Sequence, residues 1–285
     1  MTTDPTVRSQ ELGDELRTLR VGANCSLRDA GRHIDASASK LSRIETGNIG
    51  AGTEDVAALL VVYGVTGPKR RELLDLAREA ERRGWWQRDR PDFPERQRTL
   101  VTLESRATRI VNFETVVVPG LLQTAEYTRA IMTGAGAISS NEAESRVELR
   151  ARRRSLLRKK NPPELVSIIE EPVLHRAVGG RDVLGQQLWH LLHTAATPQV
   201  SLRIVPRSAP THTGLDGSFS LIHQGDSSVV FLENLTSSLF LEERAEIDAY
   251  KHAVKHLSDI ALSEQQSLEL IANLAQQSKE EASAR

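Results

Sequence analysis

The chain of 285 residues has one cysteine, Cys25. A lone thiol forms no intramolecular disulfide, which excludes a disulfide scaffold and fits a reducing cytoplasm. Cys25 reads as a small hydrophobe between two helices. No apolar run is long enough to span a bilayer, and no charged start leads into the apolar centre of a secretory leader. A cytoplasmic protein without a membrane partner is therefore expected. The stretch VGGRD lacks the spacing and the following Lys of a phosphate-binding loop. His252 and His256 stand four apart on one helix, but no third ligand lies near, and Lys251 and Lys255 mark a solvated face. His190 and His193 are no stronger, so no metal or cofactor is expected. No nucleophile, His and acid converge in the sequence, and no internal repeat is present. A binding protein is expected rather than an enzyme.

Net charge is also small, −1 overall, but it is unevenly spread. Residues 1–66 hold seven Lys and Arg against nine Asp and Glu, a net of −2. Residues 146–160 hold eight against one, a net of +7, and residues 161–285 hold nine against sixteen, a net of −7. The length suggests two domains.

What the sequence does have is concentrated in Ser26 to Gly47, SLRDAGRHIDASASKLSRIETG. Leu27, Ala30, Gly31 and Ile34 share one helical face, and Ser26 can cap that helix. A turn through Asp35 and Ala36 follows. Ser37 can cap a second helix, whose apolar positions are Leu41 and Ile44. The opposite face carries Ser39, Ser42, Arg43 and Thr46. It is short and polar, and suits hydrogen bonds to base edges in a DNA major groove. Gly31 lets two helices cross closely. Leu12, Leu16 and Leu19 mark a helix before this pair. Thr53 with Glu54 and Asp55 opens one after it, with Val56, Leu59 and Leu60 inside and Gly64 as its stop. Pro68 begins another, through Leu73, Leu74 and Ala77.

With its flanking helices, LSRIETGN resembles the XRE-type helix-turn-helix of the phage-repressor class. The resemblance implies an all-α, five-helix, phage-repressor-like domain over residues 8–66 that binds double-stranded operator DNA. It also implies an ion pair between Arg20 of the first helix and Glu45 at the end of the recognition helix. Where that family often places a phosphate-holding Gln, this chain has Leu27, and the contact passes to Arg28 or to the Ser26 backbone. The DNA-contacting set is expected to be Arg28, Ser37, Ala38, Ser39, Lys40, Ser42, Arg43 and Asn48. Arg43 is placed for guanine and Lys40 for phosphate. A domain that is not basic overall gains little from nonspecific charge, so a homodimer on a two-fold operator is expected.

Residues 67–98 read as a helical, Trp-containing linker ordered by burying Trp85 and Trp86. Residues 99–278 read as an α+β domain, and 279–285 as a flexible tail. A helical pattern runs from Thr99 through Leu103, Ala107 and Ile110. Val116 to Val118 form a short apolar run punctuated by Pro119-Gly120. Glu142 to Lys160 is an Arg-rich helix. Strands are expected at 164–171 and 200–206 with a helix from Arg181 to Thr194 between them. A hairpin is expected over 218–224 and 228–235, an edge strand at Leu239 to Leu241, and helices over 242–257 and 263–277.

In this half GWW, LESRA, FE, VPGLLQTAEY, an Arg-rich helix, IIEEPVLHRAVGG, QLWHLL, IVP and GSF follow in order. The series resembles a large actinobacterial group of XRE-type regulators with a C-terminal domain of undefined function. Such regulators are often encoded beside a small partner protein, in an arrangement likened to antitoxin and toxin. Ser155 stands where that group commonly has Gln. Trp85, Trp86, Leu121 and Leu122 are candidates for a pocket or interface. The run Arg150 to Lys160 reads either as a phosphate contact or, more commonly for charge runs, as a solvated face. Glu170 and Glu171 read as strand-end partners of Arg176 or Arg203. Three functions remain open: a DNA-binding regulator with a sensing or dimerising domain, an antitoxin-like interaction protein that autoregulates its operon, and an enzyme with a DNA-targeting head. The last lacks a catalytic set.

Overall fold

A computed structural model describes residues 7–80, 85–88, 93–134, 140–234 and 237–283. The chain divides into two compact units, residues 1–102 with 236–243, and residues 103–235 with 244–285.

The first unit begins with five helices: α1 (Val7–Gly22), α2 (Leu27–Arg32), α3 (Ala38–Glu45), α4 (Thr53–Val62) and α5 (Gly67–Ala80). The apolar periodicity of each sequence segment closes on one core. Leu12 and Leu16 of α1, Ala30 of α2, Leu41 and Ile44 of α3, Val56, Leu59 and Leu60 of α4, and Leu73 and Ala77 of α5 pack together, all buried. Because α5 contributes Leu73 and Ala77, the helical core runs on past residue 66 to Ala77. Gly13 permits the close packing of α1 on α3, since a Cβ there would lie 2.4 Å from the Ile44 carbonyl oxygen.

β1 (Trp85–Arg88) pairs antiparallel with β7 (Ser237–Leu241), with Trp85 opposite Phe240. The strand expected at Leu239 to Leu241 thus has a partner strand that the sequence did not announce. The side chains of Trp85 and Trp86 lie outside the described residues, as does the ordering expected of them.

In the second unit β2 (Arg109–Glu114), β3 (Glu164–Glu170) and β4 (Val200–Val205) are parallel, while β5 (Phe219–Gln224) and β6 (Ser227–Glu233) run antiparallel to their neighbours. Their order is β6-β5-β2-β3-β4. Helices α7 (Ala125–Gly134) and α8 (Ser140–Arg154) connect β2 to β3, α9 (Arg181–Ala195) connects β3 to β4, and α10 (Arg244–Ile260) and α11 (Glu264–Ser283) end the chain. The fold is therefore an all-α helix-turn-helix region followed by an α+β domain.

Two expectations are corrected. The helical pattern through Ala107 and Ile110 stops at Arg106, the end of α6 (Phe93–Arg106), and Ile110 lies in β2. RIVNF is rich in β-branched and aromatic residues, and pairing with both β3 and β5 overrides the local helical period. The Arg-rich helix is also shorter than expected. It ends at Arg154 and gives way to a 3-10 turn over Ser155–Arg158.

The outer strand β4 is closed by the chain itself. Leu262 N–H donates to the Ile204 carbonyl (2.8 Å), Ile204 N–H donates to Ser267 Oγ (3.0 Å), and Arg203 donates to the carbonyls of Ala261 and Leu262. An open sheet edge offers unpaired backbone groups to other chains, and these contacts occupy that rim at Ile204.

Candidate nucleic-acid interface

Two serines fix where α2 and α3 begin. Ser26 Oγ accepts from Asp29 N–H and Ser37 Oγ accepts from Lys40 N–H, each at 3.1 Å. Such caps satisfy donors that a helix start leaves open. Between the helices Asp35 takes a left-handed conformation, φ 52°, which Asp tolerates better than most residues. Gly31 lies against this turn, and a Cβ there would come within 2.5 Å of the Ala36 carbonyl oxygen. The tight crossing of α2 and α3 therefore requires glycine at residue 31.

The packing of α3 fixes which face is left outward. Leu41, Ile44 and Glu45 are buried, whereas Ser37, Ser39, Lys40, Arg43 and Asn48 are exposed and Ala38 and Ser42 half-buried. Arg28 on α2 is exposed, and Leu27 beside it packs against the core. Cys25 is half-buried against the same core. The structure thus gathers the expected DNA-contacting residues along α3 and its flanks. Lys40 Nζ reaches 4.0 Å from Asp55 of α4, an exposed pair that leaves the ammonium available.

Arg20 and Glu45 meet across α1 and α3. Arg20 Nε and Nη2 donate to the two Glu45 oxygens at 2.6 and 2.9 Å, and Arg20 Nη1 donates to the Cys25 carbonyl at 2.9 Å. The Glu45 side chain is only 3% exposed. Its hydrogen bond raises the pKa of Arg20 further. A two-pronged pair of this kind has geometric specificity as well as energy, so it sets the angle at which α3 is held.

The basic run is divided between interior contacts and surface. Arg153 donates through Nε and Nη2 to both oxygens of Glu104 at 2.8 and 2.7 Å, and both side chains are buried. Arg150 donates to Gln123 Oε1, and Arg154 to the Gln123 carbonyl at 2.7 Å. Of the basic residues from 150 to 160, Arg152, Arg158, Lys159 and Lys160 are exposed. The candidate phosphate contact is thereby reduced to these four, because the rest of the run holds the second unit together.

The partners expected for Glu170 and Glu171, and the open surface expected at Leu121 and Leu122, are corrected here. Glu170 Oε1 lies 3.2 Å from His212 Nε2, and Glu171 lies beside His175 and pairs with Arg207, so neither takes Arg176 or Arg203. Arg203 is committed to backbone carbonyls of the β4 rim. Leu121 and Leu122 are buried in a 3-10 turn and offer no open surface. His252 and His256 are exposed. Among the described residues no group of His, Cys, Asp and Glu is arranged to hold a metal ion, and no helix is long and apolar enough to cross a membrane.

Reading the sequence alone missed the role of Gln123, whose amide knits α7, α8 and the VPGLLQT turn together. Its signal was available as a polar residue inside an otherwise apolar segment.

Capped, tightly turned and exposing a short polar face, the first unit defines a helix-turn-helix protein, and residues 11–73 match a family model described as a helix-turn-helix domain. Residues 97–273 match the family described as domain of unknown function DUF5753. That match spans more than half of the chain, and the chain belongs to this family. No curated protein matches it.

Proposed function

We propose that the chain is a sequence-specific transcriptional regulator of the XRE type that reads DNA with α3 as a homodimer. Its second unit then binds an effector or a partner rather than turning over a substrate. The observation that carries this reading is the division of α3. One face is locked to the core by Leu41, Ile44 and the Arg20–Glu45 pair, while Ser39, Lys40 and Arg43 stand outward. A fixed helix that presents polar side chains outward is what base-edge recognition needs. The first unit is not basic, so two copies on a two-fold site are required to reach useful affinity.

Arg43→Ala should weaken binding to a site selected from randomised duplexes by about 1–3 kcal/mol and relax preference at one base pair. Lys40→Ala should weaken all duplexes alike and lower the salt dependence. Unchanged binding in both variants refutes the placement of α3 in the groove. Light scattering that finds a monomer both free and on DNA refutes the dimer.

A second reading is an antitoxin-like role, in which the second unit holds a small neighbour-encoded protein while the first autoregulates the operon. The acidic balance of residues 161–285 and the half-exposed Trp189 of α9 support it, since exposed aromatics are frequent interface anchors. Co-purification of such a neighbour with the wild type, and its loss with Trp189→Ala, is the expected result. A wild-type chain that purifies alone when the two are co-expressed removes this reading.

A further inference from the structure

Within the second unit, one face of the sheet is apolar and the other carries a polar row. Val111, Phe113 and Phe219 belong to the first, where Phe219 meets Tyr250 of α10 with ring centroids 4.9 Å apart. On the other, Asn112 of β2 lies opposite Ser167 of β3 and Ser220 of β5. Asn112 Nδ2 donates to Ser220 Oγ (2.9 Å), to the Phe219 carbonyl (3.4 Å) and to Glu114 Oε1 (3.3 Å). Asn112 is 8% exposed and Ser167 fully buried, yet Asn112 Oδ1 and Ser167 Oγ have no hydrogen-bond partner among the described residues. Buried polar atoms ordinarily find partners, and exceptions point to water, an ion or a ligand.

The row ends in charge. The register that sets Asn112 opposite Ser220, and Ser220 opposite Phe231, continues to align Glu114, Ser218 and Glu233. This is the carboxyl end of the parallel strands. It is also where the chain changes direction, because β3 lies on one side of β2 and β5, reached only after β4, lies on the other. Open α/β sheets leave a crevice at such a point, and ligands occupy it.

A guanidinium faces this end. Arg150 is held by Gln123, itself fixed by donation to the Val118 carbonyl (2.6 Å) and by Thr128 (3.1 Å). Gln187 of α9 braces the same turn, donating to the Leu122 carbonyl and accepting from Thr124 N–H, both at 2.7 Å. Arg150 and Glu114 influence one another but form no ion pair, whereas Arg153 is closed onto Glu104. Both retain partial solvent exposure. Burial nevertheless pushes the Glu114 carboxyl up to about 7 and Arg150 down to about 10. Two opposite charges, each partly exposed and not closed onto the other, thus stand at the crevice that the strand order creates.

We propose that this crevice, at the carboxyl end of β2, binds a small zwitterion of the α-amino-acid class, with the carboxylate on Arg150 and the ammonium between Glu114, Ser218 and Asn112. The guanidinium fork matches a carboxylate, and an ammonium supplies three donors to a set made of acceptors. A simple cation is repelled by Arg150 and a simple anion by Glu114 and Glu233. This rests on the sensing role proposed above, but it is tested without DNA, so either can fail alone.

The test is thermal melting of the full chain with each common α-amino acid singly at millimolar concentration, with acetate and methylamine as controls. At least one amino acid should raise the melting temperature, and neither control should. Glu114→Gln and Arg150→Lys should each weaken its binding about tenfold or more, as expected for loss of a charge-assisted contact. Calorimetry at pH 7 should show a binding enthalpy that varies with buffer, because an ammonium expels the proton from that fraction of Glu114 which is protonated near pH 7. That variation should vanish in Glu114→Gln. Failure of every amino acid to stabilise the wild type, equal stabilisation of wild type and variants, or a buffer-independent enthalpy overturns the proposal. Should Arg150→Lys not fold, Ser218→Ala decides on the same criterion.

Glu114 also sets a pH dependence of the unliganded chain. Its folded pKa is raised from 4.5 to about 7, chiefly by burial, with Glu233 adding and Ser218, Asn112 and Arg150 opposing. Arg153, Arg146 and Glu104 complete the charges around Arg150. A raised acid contributes stability that is complete below its unfolded pKa and lost as pH rises through its folded pKa. Wild type should therefore lose stability relative to Glu114→Gln as pH rises from 4.5 to about 7, as read by urea midpoints. Parallel curves would contradict it.

Discussion

Glu45→Ala should destabilise the helical unit by about 3–5 kcal/mol, the usual cost of deleting one partner of a buried ion pair. The Glu45 side chain is 3% exposed and holds two of the Arg20 nitrogens. Removing it leaves Arg20 with the Cys25 carbonyl alone and a cation in a site built for a neutral sum. Glu45→Gln keeps one acceptor and should cost less. Asp75→Ala, which breaks the exposed pair with Arg78 on α5, should cost about 0–1 kcal/mol. Denaturant melts give the magnitudes, and hydrogen exchange should place the Glu45 loss in residues 7–80. Equal costs for Glu45→Ala and Asp75→Ala would show that the α1–α3 pair does not fix α3.

Glu104→Ala should have a comparable effect in the second unit, at the lower end of about 3–5 kcal/mol. Glu104 takes both prongs of Arg153, and the two side chains are 6% and 9% exposed. The cost is moderated because Glu233 and Glu114 also favour the charged Arg153. Glu104→Gln should recover part of the loss. Denaturant midpoints for the three proteins measure it, and a Glu104→Ala chain as stable as wild type would mean that the inward turn of α8 contributes nothing. The same variant should expose amides of α6 and α8 to faster exchange.

The two pairs also mark how far the sequence could be read. The helix-turn-helix was legible because its determinants are local. Ser26 and Ser37 cap helices that start within a residue of them, and Leu41 and Ile44 stand one turn apart on the buried face. The strands from 164, 200, 218 and 228 were legible as apolar runs between turn residues. β2 was not, because RIVNFE becomes a strand only by pairing with residues 164–169 and 219–223, both distant in the chain. The basic run was visible as charge, but its direction was not. Whether Arg150 and Arg153 face water or protein depends on Gln123 and Glu104, which no pattern of spacing connects to them. Glu170 was given the wrong partner for the same reason, since His212 reaches it from the loop after β4. Glu114 passed unnoticed as one charge at the end of an apolar run, yet its position at the reversal of the sheet gives it a consequence that its neighbours do not share.

The closed rim of β4 bears on how two copies can come together. Joining sheets edge to edge is a common route by which β-containing chains associate, and also the route by which they misassociate. At β4 the amide and carbonyl of Ile204 are already taken by Ser267 and Leu262. A second copy cannot lengthen the sheet on that side without first peeling away the start of α11. Any two-fold contact there has to be made by helix surfaces, with side chains rather than backbone deciding which chains recognise each other.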